Sequence, residues 1–151
     1  MQSKAWICDV TEHYNAFAGH TFDLLGFADL LAASPIERRC VAIQTTTNSH
    51  GSARRRKILS LEQAFYWLLS GGEIWIVLWK PRAVEYRDRS NRRRTRDEWF
   101  PTIEEISIDQ FPETIVAGAI ERLLRLAEKF TEELQSHETQ KIIAIELPKA
   151  A

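Results

Sequence analysis

Cysteine is scarce in this chain, and so are the patterns that mark a disulfide scaffold, a zinc site or a membrane span. Cys8 and Cys40 are its two cysteines. They lie in apolar surroundings with no CxxC spacing, which reads as two reduced, buried thiols in a cytosolic protein. His13, His20, His50 and His137 fall at no metal-ligand spacing. No apolar run approaches the roughly 18–20 residues of a membrane span. The opening Met1-Gln2-Ser3-Lys4-Ala5-Trp6 lacks the apolar core of a signal peptide. These absences point to a cytoplasmic protein with no membrane partner. Internal repeats are missing, and the one biased stretch is a run of arginines.

What is present suits one globular domain. The chain has 151 residues, of which 44% are hydrophobic and 27% charged, enough to bury a real core. The net charge of −1 hides an asymmetry: residues 1–52 carry −2, residues 53–96 carry +8 and residues 97–151 carry −7. A basic centre beside carboxylates suits a polyanion, and an acidic tail suits solubility or a protein contact.

The pattern predicts strands over 6–10, 22–32, 39–47 and 73–80, and a weaker one over 103–108. Gly26 inside the second strand suggests a bulge or a close backbone approach. Residues 12–19 read as a connecting turn. A loop at 48–52 leads into the basic run. A helix over 59–69 has Ser60 as N-cap and Gln63 as its capping-box partner. The strand over 73–80 is nearly all apolar, so it is expected to be central and buried on both faces, with Pro81 stopping it. Arg82 to Arg96 forms a basic arm leading into a hairpin that includes Glu98-Trp99-Phe100. The strongest helix runs over 113–137, with Val116, Ala119, Ile120, Leu123, Leu126, Ala127, Phe130 and Leu134 recurring at three and four. Residues 140–147 read as a short last strand.

Two polar residues interrupt apolar strands: Asp29 within Phe27-Ala28-Asp29-Leu30-Leu31, and Gln44 within Val41-Ala42-Ile43-Gln44. An unpaired buried charge is costly, so a carboxylate in such a run calls for a metal ion or a polar cleft at the strand end. Asp23 lies six residues before Asp29 and shares its face in a regular strand. It reads equally as a ligand or as a turn residue.

These segments, with Ala42-Ile43-Gln44-Thr45-Thr46 and the following Ser52-Ala53-Arg54-Arg55-Arg56-Lys57-Ile58, resemble the PD-(D/E)XK nuclease superfamily. The opening Cys8-Asp9-Val10-Thr11-Glu12-His13-Tyr14-Asn15 is similar to the first strand of a group of small phage-type members. The resemblance covers residues 6–80. It implies an α/β restriction-endonuclease-like fold, with a mixed central sheet flanked by helices and a long C-terminal amphipathic helix. One domain then spans the chain: a core over 6–80, the basic arm and hairpin over 81–110, and the helix over 111–137. It also implies a metal-dependent nuclease that hydrolyses DNA phosphodiester bonds, resolvase-like or phage DNA-processing, in a bacterial or phage-infected cell. The implied cofactor is Mg²⁺ or Mn²⁺, and the implied ligands are Asp29, Asp23, Gln44 and Glu12. Gln44 takes the place of the (D/E) and Thr46 the place of the lysine, whose task Lys57 or Arg54 would assume. Gln44 offers a carbonyl oxygen but no charge. Thr46 cannot replace an ammonium in orienting water or neutralising phosphate.

The run Arg54-Arg55-Arg56-Lys57 follows the site strand and suits phosphate contact. Arg87, Arg89, Arg92, Arg93, Arg94 and Arg96 form a second cluster, read either as a backbone-gripping arm or as a solvated loop. His20 is a turn residue or an assisting base. Trp67, Trp75, Trp79 and Trp99 read as packing aromatics. Two other functions stay open: a non-catalytic nucleic-acid-binding protein on a degenerate nuclease fold, and a protein-interaction or inhibitor module that uses the acidic helix. The acidic outer face of the last helix also suggests a homodimer.

Overall fold

The computed structural model describes residues 6–17 and 19–146. It is an α/β fold: a five-stranded mixed sheet flanked by helices, with a long C-terminal helix. The elements are β1 (Ile7–Val10), β2 (His13–Asn15), β3 (His20–Phe22), β4 (Leu30–Ser34), β5 (Arg39–Thr47), α1 (Gly51–Leu59), α2 (Glu62–Leu69), β6 (Glu73–Arg87), β7 (Arg93–Ile106) and α3 (Glu113–Glu146). Strands run β1-β4-β5-β6-β7 across the main sheet, and β2 with β3 forms a separate two-stranded ribbon. Every pairing is antiparallel except β5 with β6. That parallel step needs a crossover, which α1 and α2 supply. No helix among the described residues is long and apolar enough to cross a membrane.

The predicted strand over 22–32 is broken in two. Leu25 and Gly26 take positive φ, 56° and 78°, and a tight turn closes with Ala28 N–H donating to the Leu24 carbonyl at 2.9 Å. Glycine carries such a conformation freely; Leu25 does so at some cost. The turn reverses the chain between β3 and β4 and leaves Asp29 at the head of β4.

The basic run 54–57, to which the sequence pattern assigns no element, is helical, within α1. Arginine and lysine are good helix formers. Gly51 opens this helix because a Cβ there would stand 2.7 Å from a Leu78 methyl, so the first turn can lie close on β6. Ser60 closes α1, its hydroxyl donating to the Lys57 carbonyl at 2.7 Å, and does not cap the next helix. Leu61 holds that position without a side-chain cap.

Pro81 does not end β6. Pairing with β5 finishes at Thr47 with Trp79, so from Lys80 onward β6 has a neighbour on one side only, and a residue without an N–H is tolerated there. The outer part of β6 continues with β7 as an ordered arm, Lys80 to Arg87 pairing Phe100 to Arg93. The predicted last strand over 140–147 is instead the end of α3 as far as Glu146. No glycine or proline interrupts the chain between His137 and Glu146, so each added residue gains a helical hydrogen bond. Leu147 and the side chain of His20 lie outside the described part.

The core has two parts. Phe27, Ala42, Ile74, Ile76, Leu78 and Ile106 pack with Ile58, Ala64, Phe65, Phe111 and Ala119 on the helix-covered face. Ala32, Val41 and Ile43 cluster with Trp6, Leu30, Trp75 and Val77 on the other face, with no helical residue among them. β6 is therefore buried on one face and half-exposed on the other, not on both. The alternation of the strand makes the difference. At the outer end of this second cluster the Arg39 guanidinium lies 5.5 Å from the Trp6 ring and 5.4 Å from the Trp75 ring. It also grips Glu73 by two bonds, at 2.6 Å and 2.5 Å. That pairing holds the Glu73 carboxyl below its usual range. Cys8 is exposed and Cys40 half-buried, so neither is the fully buried thiol the sequence suggests.

Candidate active site

The paired ladder between β4 and β5 ends at Leu30 with Ile43. Asp29 and Gln44 are the first residues past it, and their side chains meet. Gln44 Nε2 donates to Asp29 Oδ2 at 2.7 Å. Thr45 adds two donors to the same oxygen, its backbone N–H at 2.7 Å and its hydroxyl at 2.9 Å. All three donors reach Oδ2; none among the described residues reaches Oδ1. Hydrogen bonds to an ionised oxygen are among the stronger ones in proteins.

Backbone contacts fix the position of the carboxylate. The Asp29 N–H donates to the Ile43 carbonyl at 2.9 Å, and the Thr11 N–H donates to the Asp29 carbonyl at 2.9 Å. The Thr11 hydroxyl bonds the Ala28 carbonyl at 2.9 Å. The end of β1, the head of β4 and β5 are thus stitched together at one end of the sheet.

Gln44 is 2% exposed. Its Nε2 also donates to the Thr45 carbonyl at 3.2 Å, while its Oε1 is buried with no hydrogen-bond donor. An orphaned buried acceptor costs about 1–3 kcal/mol. Among the described residues this oxygen is the unexplained feature of the centre, and a cation would satisfy it. For Oε1 and the Asp29 carboxylate to share one cation, the amide must turn over and release both Nε2 bonds.

Thr46 lies on the same face as Gln44, two residues on. It lines a cavity of about 340 Å³ with His50, Ala53, Arg54 and Lys57. One turn of α1 brings Arg54 and Lys57 to a common face. Lys57 Nζ holds Asp23 Oδ2 at 3.0 Å. Asp23, placed by the turn that follows β3, therefore faces an ammonium. The cavity has room for several waters or one phosphate group.

The remaining expected site residues divide. Glu12 is exposed and joins no carboxylate cluster, and no group of three His, Cys, Asp or Glu side chains able to hold a metal occurs among the described residues. Of the expected ligands, Asp29 and Gln44 come together, while Asp23 is paired with Lys57. Arg55 is engaged by Glu104 across to β7; Arg56 is exposed. In the arm, Arg94 pairs with Asp88 at 3.2 Å and Arg96 with Glu98 at 2.5 Å. Arg92 and Arg93 are exposed and form no ion pair among the described residues. Asp88 caps the hairpin turn, accepting from the Arg92 and Ser90 backbone at 2.9 Å each. These bonds, the Arg92 backbone first, lower its carboxyl from the usual value.

Sequence reasoning missed two contributors. Thr45 alternates to the opposite face from Gln44, so the two-residue period discards it. It reaches Asp29 because that residue lies beyond the end of the ladder. Thr11 acts through a bond pattern that has no sequence signature. No family model, no curated protein and no solved structure matches the chain.

Proposed function

We propose that this protein is a metal-dependent nuclease acting on DNA phosphodiester bonds, with a restriction-endonuclease-like core and Asp29 at its centre. The observation that carries this reading is the junction of Asp29 with Gln44 at the end of the β4–β5 ladder, with Thr46, two residues on along β5, lining a cavity together with Arg54 and Lys57. A mixed sheet with a helical crossover between two parallel strands is consistent with it.

Asp29 Oδ1 and the buried Gln44 Oε1 are the oxygens that would hold Mg²⁺ or Mn²⁺, with Glu12 and Asp23 as more distant carboxylates. When bound, such an ion supplies a water of lowered pKa and positive charge toward the phosphate. Arg54 and Lys57 hold the phosphate and stabilise the charge that develops on it. Lys57 reaches that role by exchanging Asp23 for the phosphate. Thr45 fixes the carboxylate through its N–H and hydroxyl. Arg92 and Arg93 at the arm tip grip a more distant part of the backbone without reading bases.

A second reading, a nucleic-acid-binding protein without catalysis, is favoured by Thr46 in the place of a lysine and by the three protein donors already on Asp29 Oδ2. Incubation of supercoiled, linear, branched and single-stranded DNA with the protein and Mg²⁺ or Mn²⁺ separates the two. The nuclease reading expects cutting that Asp29→Asn abolishes while DNA binding persists. Salt-dependent binding with no cutting on any substrate establishes the second reading. Under either one, replacing Arg92 and Arg93 with Gln lowers the slope of log affinity against log salt by about one to two.

A further inference from the structure

We propose that the protein forms a homodimer through antiparallel pairing of its α3 helices. The helix has 34 residues, on the order of 50 Å. Only its first turns are packed on the body, through Ile115, Val116 and Ala119. Beyond them an apolar stripe stands in solvent: Ile120 is 47% exposed, Leu124 60%, Leu126 51%, Phe130 62% and Leu134 66%. Val116, Ile120, Leu123, Ala127, Phe130 and Leu134 follow one another at steps of four, three, four, three and four. This is the heptad seam by which one helix packs along another.

The exposed stripe and Leu69 of α2 amount to roughly 700 Å² of apolar surface. That exceeds what a monomer usually leaves in one patch and approaches the ~800 Å² that each partner gives to a standard interface. An apolar groove of about 550 Å³ lies between α2 and α3, lined by Tyr66, Leu69, Leu123 and Leu126. The side chain this chain leaves one turn beyond it is Phe130. A second copy turned about a two-fold axis near Leu126 lays its own Phe130 beside Leu123 and over this groove. The first copy does the same in return, as an isologous contact requires. The groove selects the direction: a parallel pair sets Phe130 beside Phe130 and leaves the groove at Leu123 and Leu126 unfilled.

Sedimentation of the full chain at about 10 μM tests the proposal. The expected mass is twice the 17.5 kDa of one chain. Phe130→Glu weakens the dimer roughly 100-fold with an unchanged far-ultraviolet spectrum, because the position is solvent-exposed in one copy. In a chain with Cys8 and Cys40 replaced by Ser, Leu126→Cys forms an oxidised dimer and Leu134→Cys does not. A wild-type monomer overturns the proposal. So does equal cross-linking at 126 and 134, or a Phe130→Glu variant that stays dimeric.

Discussion

Replacing Asp29 with Ala is expected to cost stability as well as function, and the size of the loss follows from its bonds. Oδ2 accepts from Gln44 Nε2, the Thr45 N–H and the Thr45 hydroxyl within 2.7–2.9 Å. Hydrogen bonds to a charged group are worth about 1.5–3 kcal/mol each, but they are not additive when they share one acceptor. After the substitution, Gln44 Nε2 keeps the Thr45 carbonyl and the hydroxyl rotates toward water. The Thr45 N–H loses its acceptor. The position is half-exposed, so water replaces part of what is lost. The net loss is then ~2–4 kcal/mol. Urea unfolding of wild type and variant measures it: with a slope near 2 kcal/mol/M the midpoint falls by roughly 1–2 M. Asp29→Asn keeps one carbonyl acceptor and should lose about half as much. A change within about 0.5 kcal/mol for Asp29→Ala would refute the bonding described, since that is the range of an ordinary surface substitution. A clear gain would show instead a strained, unpaired carboxylate.

Two more outcomes follow from the packing. Gly72→Ala should destabilise the fold by about 1–3 kcal/mol in the same urea assay. A Cβ there would overlap the Trp67 ring, and the ring is fixed by its Nε1 bond to the Glu73 carbonyl at 2.8 Å. A neutral result would mean that the ring is free to move. Glu73 titrates below its usual value of 4.5 because Arg39 bonds it. Its contribution is therefore present above pH 4.5 and is lost as the pH falls through the lower, folded-state pKa. Glu73→Gln should be less stable than wild type near neutral pH and converge with it in acid. A gap that stays constant with pH would deny the pairing.

Much of the fold is legible in the residues. The β-branched run Arg39–Thr47 forms a strand over those bounds, and the three-and-four recurrence from Val116 onward forms a helix. Failures cluster where local signals mislead. Leu25 at φ 56° carries no breaker signature, yet it ends a strand pattern. Pro81 is a breaker by itself and is harmless where β6 has lost one neighbour. The arginine run reads as a phosphate-contact segment without an assigned element, because its charge hides its helix propensity. At the site, Asp29 and Gln44 stand out because polar groups are costly in apolar strands, and they do meet. Asp23 was harder to read. Its face depended on a regular strand that the turn at Leu25 and Gly26 abolishes, and its partner is an ammonium 34 positions away.

The central claim is that Asp29 and Gln44 form a cation-binding centre, and paramagnetic Mn²⁺ titration followed by nuclear magnetic resonance tests it most directly. The account predicts that substoichiometric Mn²⁺ selectively broadens the backbone amides of Asp29, Gln44 and Thr45 and the Gln44 side-chain amide, and that Asp29→Asn removes the effect. Broadening centred elsewhere, or none at these positions when Mn²⁺ is in excess, would contradict it.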